Sequence, residues 1–180
     1  AATQGLANYL KLNFAGEQTK VAISHDSRNN SRMFAERVAD IFASNGFIVY
    51  LFDALRPTPE LSFAIRELGC QSGVMVTASH NPKEYNGIKV FTAGGRDADE
   101  VQTADIEKYI AAVDPEKICR MDYEKAVEAG LVEEFYPMNE YIDDVMEKIN
   151  MDAIRAAQLR IVLDPMYGVS NNSLRTILLT

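Results

Sequence analysis

Cysteine is scarce in this chain: Cys70 and Cys119 are the only two among 180 residues. Nothing in their spacing calls for a disulfide. Each reads better as a small buried or half-buried hydrophobe than as a metal ligand, a usage that suits a reducing compartment. Long apolar runs are missing too. None approaches the roughly 20 residues that a membrane helix needs, and no signal peptide opens the sequence. Positive charge is short, with 18 Lys and Arg against 26 Asp and Glu and a net charge of −8. A chain of that sign fits neither nucleic acid nor an anionic membrane surface as partner. Any phosphate site must therefore be built locally, from loop amides and a few placed cations. The remaining balance is ordinary, 47% hydrophobic and 24% charged. The expectation is a cytoplasmic protein with one domain, or a domain plus a piece of another. The sequence starts without Met inside an expected helix and stops on the apolar run Ser173–Thr180, so a fragment of a longer protein is expected.

What is present is one organising stretch, Gly73 to Phe91, which reads GVMVTASHNPKEYNGIKVF. Val74–Thr77 is apolar and β-branched, as a buried strand requires. Ala78–Pro82 is polar, Asn86-Gly87 marks a turn, and Ile88–Phe91 returns to apolar residues. Ser79, His80 and Asn81 are thus presented at the end of a strand, where open α/β sheets bind their ligands. A serine hydroxyl becomes a useful nucleophile only when a base, a metal or a modification changes it. His80 is its immediate neighbour. Adjacent side chains are expected to diverge, so the two do not read as the serine–histidine half of a triad. Pro82 fixes its own φ and pushes Asn81 toward extended geometry, which stiffens the loop. Lys89, ten positions past Ser79 on the returning strand, is a cation able to face a phosphate or carry a proton. The residues by themselves support an ordinary polar loop equally well.

Around this stretch helices and strands alternate. Helices are expected over residues 2–13 (Leu6, Tyr9, Leu10 and Phe14 on one face), Ser31–Asn45 (Phe34, Val38, Ile41 and Phe42 inward, Ser31 as N-cap) and Thr58–Leu68 (Leu61, Ala64, Ile65 and Leu68 inward). Val101–Ala112, Tyr123–Gly130 and Met138–Ile149 follow as helices. Strands are expected at Val21–Ile23, Phe47–Phe52, Val74–Thr77 and Gly87–Thr92, the last antiparallel to its predecessor because their connection is short. That alternation implies a three-layer α/β/α sandwich with a mixed, mostly parallel sheet. Glu124, Glu128, Glu133, Glu134, Asp143 and Asp144 read as a solvated helical face, since a metal cluster would need convergent oxygens. Asp26 and Arg28, after the first strand, read as a turn with an internal ion pair. Leu159–Asp164 is expected as a fresh strand opening another βα unit, with Asp164 and Gly168 structural. The boundary then falls near residue 155, giving one domain over 1–155 and, over 156–180, a linker and the start of a second similar domain.

TASHNP followed by YNGIKVF resembles the phosphoserine loop of the α-D-phosphohexomutases, the phosphoglucomutase/phosphomannomutase family. The similarity runs from about Lys20 to the final residues. The resemblance implies that Ser79 carries a phosphate and, through it, is one ligand of a Mg²⁺ ion. It implies that His80 contacts the transferring phosphoryl group and that Lys89 stands at the spacing of a proposed general acid/base. Asp26 and Arg28 match an Asp-x-Arg of the family and are expected to support the loop. Thr77 fits the phosphoglucomutase/phosphomannomutase form, where phosphoglucosamine mutases usually have Ser. The implied reaction interconverts hexose 1-phosphate and hexose 6-phosphate through a bisphosphorylated sugar. Mg²⁺ is the implied cofactor, glucose 1,6-bisphosphate the activator, and a phosphosugar the substrate. The remaining domains of the same chain are the implied partners. The family's Asp-Gly-Asp metal loop, sugar-recognition loop, C-terminal phosphate-binding domain and N-terminal Gly/Arg segment are not among these residues, so the 180 residues alone are expected to be inactive. A phosphopentomutase of the same family and a non-catalytic α/β module that binds a phosphorylated ligand are the alternatives.

Overall fold

The computed structural model describes residues 1–180. Five strands form one sheet in the order β4-β3-β1-β2-β5. They are β1 (Lys20–His25), β2 (Ile48–Phe52), β3 (Ser72–Val76), β4 (Ile88–Thr92) and β5 (Val132–Phe135). β1 pairs in parallel with β2 and β3, and β2 pairs in parallel with β5. β4 returns antiparallel to β3, with Val76 opposite Ile88 and Met75 opposite Lys89.

The strands are apolar at consecutive positions because helices cover both faces. Strand alternation sends Val21, Ile23, Val49, Leu51, Val74 and Val76 to one side, where they meet α1 (Ala2–Asn13), α2 (Ser31–Ser44), α4 (Glu100–Ala111) and α5 (Tyr123–Glu128). Ala22, Phe52, Met75 and Phe91 pack on the other side against Leu61, Ala64 and Ile65 of α3 (Thr58–Glu67). Each fully buried Leu, Ile or Phe in these layers contributes about 1.5–3 kcal/mol. At Gly73 in β3 an added Cβ would collide with the Ile65 side chain, so glycine lets α3 sit this close to the sheet. On that same face α6 (Met138–Glu147) joins α3, with the rings of Phe63 and Tyr141 5.8 Å apart. After the short α7 (Met151–Ala156), α8 (Asn171–Leu179) lies against α6. No helix is long and apolar enough to cross a membrane.

Several expectations are corrected. β5 lies outside every expected strand: in its VEEF only Val132 is buried, so the apolar signal is weak, and pairing with the β2 edge makes it a strand. Glu133 and Glu134 therefore stand on a strand and not on a helix. Asn30, at φ 64°, and not Ser31, caps α2. Phe34 is 40% exposed, because the buried stripe of α2 runs through Ala35, Val38, Ala39 and Phe42 instead. Cys70 is buried, but Cys119 is exposed, on a segment crossing the outside of α2; both thiols are free. Leu159–Asp164 forms no strand, and Val162 is 95% exposed. A strand exists only through a ladder, and no strand of the five-stranded sheet pairs with this segment.

Candidate active-site loop

β1 and β3 are neighbours in parallel register, so they end side by side, with His25 opposite Val76. The loops leaving them meet at the carboxyl edge of the sheet. The Asp26 amide still donates to the Val76 carbonyl at 3.2 Å, which fixes where the first loop departs. The carboxylate of Asp26 then organises both loops. Its Oδ2 accepts the Thr77 hydroxyl at 2.7 Å, and its Oδ1 accepts the Ser31 hydroxyl at 2.9 Å and the Arg28 amide at 3.0 Å. Thr77 Oγ1 in turn accepts the Ser79 amide at 3.0 Å. A continuous path of hydrogen bonds thus runs from the end of β1 to the backbone of Ser79. Hydrogen bonds to a charged acceptor are among the stronger ones a protein makes.

Arg28 closes the arrangement. Its guanidinium donates to four carbonyl oxygens of the second loop: Pro82 at 2.9 Å, Tyr85 at 2.9 Å, Ser79 at 2.8 Å and Asn81 at 2.6 Å. Its Nε lies 3.5 Å from Asp26 Oδ2. The planar fork of arginine suits this use, since one rigid group can satisfy several acceptors at once. Asn86 adds a second tie, donating to Ser31 Oγ at 2.8 Å while its own carbonyl oxygen accepts the Gly87 amide at 2.9 Å.

The result is an exposed Ser79 whose backbone is left-handed, at φ 54°. That conformation is uncommon for a residue with a Cβ and is held by the surrounding bonds. It also corrects one expectation. The Ser79 and His80 side chains do not diverge, and Ser79 Oγ stands 3.3 Å from His80 Nδ1. Beside Ser79 an open hollow of about 440 Å³ is lined by Asp26, Ser27, Arg28, Asn29, Ser79, Asn81 and Lys83, with no hydrophobic residue among them. Beneath it His25 is buried, with Nδ1 at 3.1 Å from the Asp26 carbonyl and Nε2 without a partner. Burial pushes its imidazole below the usual range, so it is neutral at pH 7.

Lys89 sits elsewhere on the edge. It is exposed on β4, its ammonium pairs with Asp97 at 3.1 Å, and it borders a separate depression lined by Ile88, Val90, Ile106 and Ile110. Ser79 and His80 are thus brought together, while Lys89 does not line the hollow. No three His, Cys, Asp or Glu side chains converge to form a metal cluster, and both Asp26 oxygens are already engaged. Sequence reasoning gave no role to Lys83, which lines the hollow, and read Asn86 only as a turn residue. A tie between residues 55 positions apart has no local signal, so only the fold could reveal it.

Residues 1–117 match the profile of phosphoglucomutase/phosphomannomutase, alpha/beta/alpha domain I. A phosphoglucomutase of Staphylococcus saprophyticus is 34% identical over 169 residues, 92% of this chain and 30% of the relative. One from Staphylococcus haemolyticus is 45% identical over 106 residues, 59% of this chain and 19% of the relative. A crystal structure assigned as a phosphomannomutase from Thermus thermophilus matches with a TM-score of 0.83 at 28% identity, over 98% of this chain and 37% of that one. The pp63/parafusin phosphoglucomutase of Paramecium shares the fold, with a TM-score of 0.78 at 21% identity, again over 98% and 37%. The chain therefore spans well under half the length of these relatives. With sheet and helical layers in agreement, the chain belongs to the phosphoglucomutase/phosphomannomutase family, and residues 1–117 match its α/β/α domain I.

Proposed function

We propose that this chain is the phosphoserine-bearing part of a phosphohexomutase that interconverts hexose 1-phosphate and hexose 6-phosphate. On this reading residues 1–155 are its first domain and 156–180 open a second. The observation that carries the proposal is Ser79 Oγ, held in the open by the Arg28 clamp and set 3.3 Å from His80 Nδ1. A hydroxyl so placed has a rigid position, a base within reach and solvent access for a phosphorylated ligand.

In the proposed step a phosphoryl group moves between a sugar oxygen and Ser79 Oγ. The Oγ–P bond forms as the sugar O–P bond breaks. The serine proton is carried to the released sugar oxygen, so charge balances, while His80 contacts the transferring phosphoryl group. Such transfers ask for placement and for neutralisation of charge on the phosphoryl oxygens more than for covalent assistance. Arg28 contributes placement only, because all its terminal donors are engaged by carbonyls. Lys89 would serve as proton carrier after releasing Asp97. A Mg²⁺ ion, when bound, would neutralise part of the phosphoryl charge. From this chain it would take only the phosphate oxygen on Ser79, consistent with the absence of any converging acidic cluster. The free thiols of Cys70 and Cys119 support a cytoplasmic setting.

The test is the intact mass of the full-length protein before and after incubation with glucose 1,6-bisphosphate, for wild type and Ser79→Ala. The wild type is expected to carry one phosphoryl group and the variant none. A wild type that stays unmodified refutes the proposal and favours a non-catalytic phospholigand-binding module.

A further inference from the structure

Two cations line the hollow beside Ser79, and they are differently employed. Arg28 is 14% exposed, lies 3.5 Å from a carboxylate, and gives its four terminal hydrogen bonds to carbonyl oxygens. Its fork has no donor left for an incoming anion. Lys83 is exposed on the same loop as Ser79, and its ammonium makes no ion pair or hydrogen bond. Ser27 and Asn29, on the opposite rim, also have side-chain polar groups without protein partners. The sole acid lining the hollow, Asp26, already holds Thr77, Ser31 and Arg28. The hollow is therefore a polar concavity with a hydroxyl at one side and one uncommitted positive charge.

We propose that Lys83 is a phosphate-binding residue, its ammonium contacting the phosphoryl group at Ser79 and the phosphate of the incoming sugar from the mouth of the hollow. The inference rests on the phosphoserine reading above. The acidic balance of the chain strengthens it. These 180 residues carry a net charge of −8, a balance that repels a sugar bisphosphate, and a cation at the hollow offsets that repulsion locally. Lysine suits the task because its ammonium is a mobile point charge on a flexible stem, able to follow a phosphate that changes position between the two ends of a sugar. Lys83 takes no part in the bonds that shape the loop, so changing it leaves Ser79 in place.

The experiment is the rate at which unphosphorylated full-length protein gains a phosphoryl group from sub-saturating glucose 1,6-bisphosphate, followed by intact mass. Wild type, Lys83→Ala and Lys83→Arg are compared at low and high salt. Lys83→Ala is expected to load about fivefold more slowly, the effect of one exposed pair of unit charges about 4 Å apart in water. Lys83→Arg is expected to recover most of the rate, and the gap between Ala and wild type is expected to narrow as salt rises. A Lys83→Ala protein that loads at the wild-type rate overturns the assignment of Lys83 while leaving the serine reading intact. A wild type that never loads overturns both.

Discussion

Replacing Arg28 by alanine removes the one side chain that touches four points of the Ser79 loop. The loop is exposed, so its released carbonyls can be rehydrated, and each lost bond is counted at about 0.5–1 kcal/mol, the lower part of the usual net range. Four contacts of 2.6–2.9 Å then amount to about 2–4 kcal/mol of local stability. At about 1.4 kcal/mol per tenfold, the opening equilibrium of the loop shifts by about 30- to 1,000-fold. The hydrophobic layers are untouched, so the global melting temperature is expected to move little. Hydrogen exchange reads the difference directly. The amides of Asn81 and Tyr85, bonded at 3.0 Å to the Ala78 and Pro82 carbonyls, are expected to exchange faster by that factor, while Val21 and Val74 in the sheet keep their protection. Arg28→Lys is expected to fall in between, because one ammonium cannot span four acceptors. Unchanged exchange at Asn81 and Tyr85 in a folded Arg28→Ala protein would refute the clamp.

Other consequences follow from buried positions away from the loop. Glu60 is 1% exposed, its Oε2 has no partner, and Arg56 Nε is 3.9 Å away. Burial, opposed by the nearby Arg56 charge, pushes its carboxyl up to about 7 from an ordinary 4.5. The folded state then holds a proton that the unfolded chain has released, so the stability it brings is complete below about pH 4.5 and is lost as pH rises through 7, by about 3 kcal/mol. Glu60→Gln is expected to flatten the melting temperature between about pH 5 and pH 8 and to raise it at the upper end; an unchanged slope would sink this account. Gly5 in α1 meets α4, where an added Cβ would stand 2.5 Å from Ile110 Cα and 2.6 Å from its amide nitrogen. Gly5→Ala is expected to cost about 1–3 kcal/mol, visible as a lower melting temperature, and an unaltered melt would contradict the close approach of α1 and α4.

The fold was largely legible because its signals are local. Val21-Ala22-Ile23 is apolar at every position, which only a strand covered on both faces tolerates. Leu61, Ala64 and Ile65 recur at helical spacing, and all three are fully buried. The short link after β3 correctly implied an antiparallel β4. β5 escaped notice because two of its four residues are glutamates at a sheet edge, where pairing and not side-chain burial makes the strand. Leu159–Asp164 misled for the converse reason: its residues are strand-like, but no ladder receives them.

The candidate site divides in the same way. The TASHNP run presented Ser79 and His80 at the end of a strand, since a polar break after a β-branched run and a stiffening proline are properties of neighbouring residues, while their roles came from the resemblance to a phosphoserine loop. Composition likewise set the requirement for a local cation, because net charge needs no coordinates. Only the tertiary structure decided that Arg28 holds the loop, that Ser79 and His80 touch, that Lys89 faces Asp97, and that Lys83 stands uncommitted at the hollow. The Ser79–His80 contact accompanies a left-handed turn at one serine, and the Lys89–Asp97 pair is set by the return of the chain after β4. The Arg28 clamp depends on β1 and β3 ending side by side, which brings groups more than 50 residues apart within 3 Å. Hydrogen bonds reach only that far, so their partners are chosen by the packing of the sheet and not by the order of residues along the chain.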